Sequence, residues 1–248
     1  WTTFYALTVA LLEALLLDRV QAHYKKLGAR TQELFDTELL GVPWNKLRAG
    51  PKPDSEDILQ AATKFKTKSK LDKLRDWYPP VASELPLPMA RLVCQRANTW
   101  WDANLRKKYA NALIVILALS IASVFAISLF AGHTVGEMVL SVYTPVAPAI
   151  LWSFREIRRQ REAAESLDKL KAHVEGVWSD ALSGKLDGAT LNTSSREIQD
   201  SIFDGRSHNP LIFDWINKLV RPTQQISMNT KAKELVTEAL RSQSYATL

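Results

Sequence analysis

One cysteine in 248 residues, Cys94, leaves no partner for an internal disulfide, so no covalent framework holds this fold. Histidine is nearly as scarce. His23, His133, His173 and His208 stand far apart and form no cluster with the lone thiol, so neither a metal nor another cofactor is expected. The chain carries no GxxxxGK[ST] loop, no GxGxxG, no HExxH and no nucleophile elbow. This pattern points away from an enzyme and names no catalytic residue. The chain opens at Trp1, already inside an apolar stretch, with no methionine and no basic head of the kind a secretory signal carries.

Charge is missing locally rather than globally. The chain is basic overall, with net charge +6, pI about 9.4 and mean hydropathy −0.13, yet ANALIVILALSIASVFAISLFAG (Ala110–Gly132) holds no charged side chain. A hydrocarbon core takes roughly 20 apolar residues of helix, because no water there satisfies stray backbone groups. Residues 110–131 meet that length. A second run, VGEMVLSVYTPVAPAILWSF (135–154), follows after a few residues, so the two read as a hairpin of spans. A third run, WTTFYALTVALLEALLL (1–17), reads as the visible part of a span with a further span expected upstream; a mature chain exposed by cleavage is the other reading. The competing account is a hairpin buried in a large helical soluble domain.

Lys and Arg near span ends are held on the cytoplasmic side. LRKKY (105–109) precedes the middle span, REIRRQR (155–161) follows the last, and the link AGHTVGE carries neither residue. Residues 18–109 and 155–248 are therefore expected as two cytoplasmic helical regions. On the last span Glu137, Ser141, Thr144 and Pro148 share one side, a polar stripe that either lines water or bonds to neighbouring helices. Pro145 and Pro148 remove backbone donors and predict a kink. Three spans enclose too little volume for a conduit, so conduction requires a homo-oligomer.

Beyond Phe154 the helical pattern runs on. Ala163, Leu167, Leu170, Val174, Val177 and Ala181 recur at spacings of four and three, a heptad seam that packs on a helix of the same chain or of a neighbouring subunit. Pro88 suits the first turn of a helix that enters the middle span without a break. A lysine-rich helix opens at Asp54-Ser55-Glu56-Asp57, its cations facing lipid head groups, an anionic ligand or water. NTSSREIQDSIFDGRSHNPLIFDWINKLVRP reads as a capped helix, a turn and a second helix ending at Arg221-Pro222. The expected fold is all-α: a multispan transmembrane protein whose long helices extend into a helical cytoplasmic domain.

Three stretches, QELFDTELLGVPWN (Gln32–Asn45), WYPPVASELPLPMARLVCQRANTWWDANLRKKY (Trp77–Tyr109) and REIQDSIFDGRSHNPLIFDWINKLVRP (Arg196–Pro222), resemble the SMODS- and SLOG-associating four-transmembrane effector family of bacterial anti-phage defence. The resemblance covers most of the chain in the right order, with three spans visible against the family's four. It implies an abortive-infection effector in the bacterial inner membrane, pore-forming or membrane-disrupting. It also implies control by a cyclic oligonucleotide from a partner nucleotidyltransferase, with no role for DNA. Phosphates call for guanidinium forks and bases for aromatic faces. Within those stretches Arg91, Arg96, Arg196, Arg206, His208 and Trp44 are the ligand candidates, each set against the commoner role of an internal salt bridge or helix cap. Glu137, Ser141 and Thr144 are the pore-lining candidates. The alternative function is a non-conducting membrane scaffold or sensor that recruits a partner through its cytoplasmic helices.

Overall fold

The computed structural model describes residues 18–64 and 76–246, and every element among them is helical, as the all-α reading expects. The expected span at 1–17 and most of the lysine-rich stretch lie outside the described residues. In chain order come α1 (Asp18–Leu40), α2 (Lys46–Ala49), α3 (Ser55–Lys64) and a 3-10 turn at Pro80–Glu84. Then follow α4 (Leu87–Phe130), α5 (Val135–Glu137), a π-helical segment (Met138–Tyr143), α6 (Thr144–Leu182), α7 (Gly188–His208) and α8 (Asp214–Ala246).

Local chemistry sets these boundaries. Gly41 (φ +60°) ends α1 in a conformation that side-chain-bearing residues avoid. Pro86 and Pro88 open α4, whose 44 residues make a rod of about 66 Å. Gly132 (φ +72°) turns the chain at its far end, and the His133 amide donates to the Ser128 carbonyl at 3.1 Å. Thr134 and Glu137 then form a reciprocal capping box that starts the return. The kink predicted from Pro145 and Pro148 takes the form of the wide π turn just before them: without their two N–H groups the ladder cannot stay regular, and the Thr144 hydroxyl bonds the Val139 carbonyl at 2.8 Å.

α4 and α6 run antiparallel along most of their length. The heptad seam is buried against the same chain: Val174 and Val177 share a core with Leu92, Val93 and Cys94 of α4, Leu191, Ile198 and Ile202 of α7, and Ala232, Leu235 and Val236 of α8, with Leu170 and Ala181 packed against it. The expectation that the last helix stops at Arg221-Pro222 is overturned. α8 continues through Pro222 to Ala246, because buried Ile216 before the proline and Met228, Ala232 and Val236 after it hold both halves in place. The Gln224 carboxamide also anchors this stretch by donating to the Trp101 carbonyl at 3.1 Å. α7 starts at Gly188, where the Asp187 carboxylate caps the Thr190 amide at 2.8 Å.

The far half of the hairpin is different. Val115, Leu119, Ile127, Leu129 and Phe130 on α4, and Val135, Leu140, Leu151 and Phe154 on the return, are all more than half exposed. α4 is long and apolar enough to cross a membrane, and only 6% of its most apolar stretch is buried. A soluble core helix hides such a stretch, so the buried-hairpin account fails. The second apolar run is divided among α5, the π segment and the start of α6, and among the described residues α4 alone meets that length and composition as one helix.

Candidate functional site

α7 lies parallel to α4 and antiparallel to α1, and that arrangement brings the three family-like stretches together. Glu33 and Asp36, three residues apart on α1, point inward and are each 1% exposed. Arg196 Nη2 donates to Glu33 Oε1 at 2.7 Å and to Asp200 Oδ1 at 2.9 Å. Arg206 Nη1 donates to Asp36 Oδ2 at 2.7 Å. Gln199 donates to both acids, at 2.9 and 3.1 Å, and Gln95 of α4 donates to the Ser195 carbonyl at 2.8 Å. The Tyr78 hydroxyl donates to Asp36 Oδ1 at 2.8 Å and accepts from Asn98 at 3.0 Å. Three carboxylates meet two guanidiniums, and the neutral amides of Gln199 and Asn45 supply the remaining donors to the acids.

Burial, and then the Asp36 charge, push the Tyr78 hydroxyl pKa well up. The same two causes lift the Cys94 thiol to about 12. Burial is the largest cause and lowers Arg206, but the charges of Asp36, Tyr78 and Glu33 and the hydrogen bond to Asp36 together outweigh it, and the net shift is upward. These groups keep their ordinary charge states at neutral pH. The ion pairs and hydrogen bonds around them tie α1, α4 and α7 together.

A groove of about 490 Å³ opens beside this network, lined by Gly41, Val42, Pro43, Arg91, Asn192, Thr193, Arg196 and Glu197. Arg91, 8% exposed, closes the end of α1 by donating to the Leu40 and Gly41 carbonyls, and it also reaches the Asn192 side chain. Burial lowers its pKa. Its partners are all neutral oxygens, whereas Arg196 faces acids on one side and the Pro43 carbonyl at 2.6 Å on the other. The groove thus carries two guanidiniums, both already hydrogen-bonded within the chain, a hydroxyl and an amide, with the Glu197 carboxylate also lining it.

The other candidates lie apart. Trp44 donates to the Gly50 carbonyl at 2.9 Å, with the Lys52 ammonium 5.9 Å from its ring. Arg96, on another side of α4, pairs with Glu175 at 2.9 Å. Arg206 sits deep in the network. His208 ends α7, its Nδ1 2.9 Å from the Asp204 carbonyl. Of the six, only Arg91 and Arg196 line one groove. On the hairpin, the Glu137 carboxylate accepts from the Thr134 amide at 2.8 Å and holds the turn. Thr144 is exposed, and the Ser141 side chain lies outside the described residues.

A second polar cluster joins the packed helical core to the hairpin, and the sequence reading did not name it. Arg106 on α4 donates to Asp102 at 3.1 Å, to Gln160 of α6 at 2.8 Å and to the Pro210 carbonyl at 2.8 Å. Gln160, fully buried, donates to Glu156 at 2.7 Å and to the Leu211 carbonyl at 2.9 Å. Lys25 of α1 caps the same corner through the His208 and Asn209 carbonyls, both at 3.1 Å. Partial burial, then Arg159 and Arg106, lower its pKa. One turn further on, Tyr109 packs edge-on against Phe213, with ring centroids 6.0 Å apart. The α7–α8 corner is therefore pinned where the uncharged run begins.

Comparison with known proteins agrees with this architecture. Residues 1–235 match the model of the SMODS-associating 4TM effector domain. A probable CBASS effector molecule of Bacillus cereus (strain VD146) is 26% identical over 211 residues, covering 84% of this chain and 69% of that protein. No solved structure matches the chain.

Proposed function

The chain belongs to the SMODS-associating 4TM effector domain family, and from that premise we propose that it permeabilises the bacterial inner membrane in anti-phage defence, under control of a cyclic oligonucleotide. The coarser part, a membrane effector of anti-phage defence, follows from the family and from the relative. The observation that carries the finer part is the exposed apolar hairpin rooted in the soluble part through Arg106 and Gln160. Residues 110–131 and 135–154 cross the bilayer, and both soluble regions face the cytoplasm, where basic residues flank each span. Copies assemble around an axis, with Glu137, Ser141 and Thr144 toward the lumen. The Arg91–Arg196 groove receives the phosphates of the nucleotide. A ligand shifts the closed and open arrangements only by its differential affinity for them, so it must hold the groove more tightly in one.

The scaffold alternative draws on the heptad seam and the lysine-rich helix; the seam packs on α4 and α7 of the same chain, and most of the lysine-rich stretch lies outside the described residues. The test uses purified full-length chain in dye-loaded liposomes, challenged with cyclic di- and trinucleotides. Nucleotide-dependent release and a ring-shaped oligomer are expected; silence toward the whole panel refutes nucleotide gating. Thr193→Trp, at the exposed lip of the groove, should raise the nucleotide concentration for half-release at least tenfold with the melting temperature unchanged.

A further inference from the structure

We infer that the α7–α8 corner and the first turns of α8 are an interfacial anchor that lies in the phospholipid headgroup layer of the cytoplasmic leaflet. Four large apolar side chains stand open there: Leu211 (50% exposed), Phe213 (56%), Trp215 (53%) and Leu219 (72%). The corner's depth is fixed by contacts already described. Pro210 and Leu211 carbonyls are held by Arg106 and Gln160, and the Phe213 ring rests on Tyr109, the residue before the uncharged run. The patch is thus continuous with the apolar belt of the hairpin rather than isolated on a wet surface, where a set of this kind marks a binding face.

The chemistry of the rim selects lipid as the occupant. Aromatic side chains with an apolar body favour the headgroup level, and Trp215 and Phe213 stand at that level. At about the same depth, α6 leaves its apolar run at Phe154 and presents Arg155, Arg158 and Arg161, with Glu162 and Glu165, along a groove of about 490 Å³ on its face away from Gln160. Arg155 and Arg161 have no hydrogen bond or ion pair among the described residues, and Arg158 meets only exposed Glu162 at 3.4 Å. Deeper in the soluble part, Arg96, Arg196 and Arg206 each hold a carboxylate. Unpaired guanidiniums at the phosphate plane attract anionic headgroups, each strengthening the association by roughly fivefold. Corner and arginines together make an amphipathic foot of the kind that lies in an interface.

The inference rests on α4 entering the bilayer at Ala110, and the experiment separates the two. Cys94 is buried, so single introduced cysteines label cleanly. An environment-sensitive fluorophore is placed on Trp215→Cys, Leu219→Cys, Phe125→Cys in the belt, and Leu87→Cys, about 35 Å along α4 from Ala110. The full chain is reconstituted in phosphatidylglycerol/phosphatidylcholine vesicles with and without brominated acyl chains. Quenching at 215, 219 and 125, and none at 87, is expected, with quenching at 215 and 219 reduced in Arg155→Gln/Arg158→Gln/Arg161→Gln. A quenched 125 beside unquenched 215 and 219 overturns the anchor and leaves the span standing. A blue-shifted but unquenched 215 also overturns it, by naming a protein partner instead of lipid. An unquenched 125 removes the span itself.

Discussion

Replacing Arg206 with methionine removes one guanidinium from the buried network and keeps most of the side-chain volume. Asp36, 1% exposed, then has only the Tyr78 hydroxyl at 2.8 Å and the Gln199 amide at 3.1 Å as neighbours, both neutral. A buried charge stripped of its counter-ion costs about 3–5 kcal/mol. At this chain length that lowers the melting temperature by roughly 6–20 °C. Adding Asp36→Leu removes the stranded charge and leaves the Tyr78 proton short of an acceptor, a residual cost of about 1–3 kcal/mol. The double variant is therefore more stable than Arg206→Met alone. Arg96→Met supplies the contrast: its partner Glu175 is 41% exposed and has Lys171 at 3.8 Å, so the loss stays under about 1 kcal/mol. Melting followed by circular dichroism in one detergent measures these three and the single Asp36→Leu. If Arg206→Met melts within a degree of wild type, or the double variant loses the sum of its two singles, the network is not an ion-paired core.

Gly41→Ala forces a Cβ onto a φ of +60° and places it 3.3 Å from Arg91 Nη2 and Leu87 Cδ2; a loss of about 1–2 kcal/mol is expected in melting, whereas Gly136→Ala, with open space around its Cβ, should be neutral. Cys94 keeps its proton up to about pH 12 in the folded state, above the usual thiol value of about 8.5. The unfolded chain therefore releases that proton first. Stability from this group is intact below the ordinary thiol range and falls as pH climbs through it toward 12, and Tyr78 adds to the same alkaline loss. Alkaline melting curves measure that slope, and maleimide should label Cys94 only after denaturation. Gln160→Leu deletes the bonds to Arg106, Glu156 and the Leu211 carbonyl and costs about 2–4 kcal/mol; thermolysin cleavage around 211–213, read by mass spectrometry, should accelerate there before anywhere else.

Local punctuation made part of this fold legible in advance. Pro88 marked the start of α4 through the backbone alone, and the uncharged run Ala110–Gly132, long enough for a bilayer, marked its far part. Pro222 misled for the same reason: it weakens a helix locally, and only packing on both sides of it carries α8 onward. The buried network was illegible on different grounds. Glu33 and Asp36 sit in a polar helix whose composition reads as a wet surface, and nothing in the spacing of α1 says that Arg196 and Arg206 will arrive from 160 residues away. The one available hint was complementary pairs, acids three apart on one helix and cations ten apart on another. Arg91 and Arg196 were both named from the sequence, but their shared groove comes from α4 and α7 lying parallel.

Arg196 is where the candidate groove and the network meet, and on the proposed function its position couples binding to the membrane. On the proposed reading, a phosphate in the groove competes with Glu33 for a guanidinium that already has a charged partner 2.7 Å away. Exchanging one anion for another changes the energy little, so a modest preference of the ligand for one arrangement suffices to move the equilibrium. The released Glu33 carboxylate, 1% exposed, keeps only the Gln199 amide and drives α1 to reposition against α7. α1 is tied at its other end, through Lys25, to the His208 and Asn209 carbonyls, and that corner is bolted to α4 and α6 by Arg106 and Gln160. A shift of α1 along α7 therefore pulls on the base of the hairpin at the depth where its charge ends.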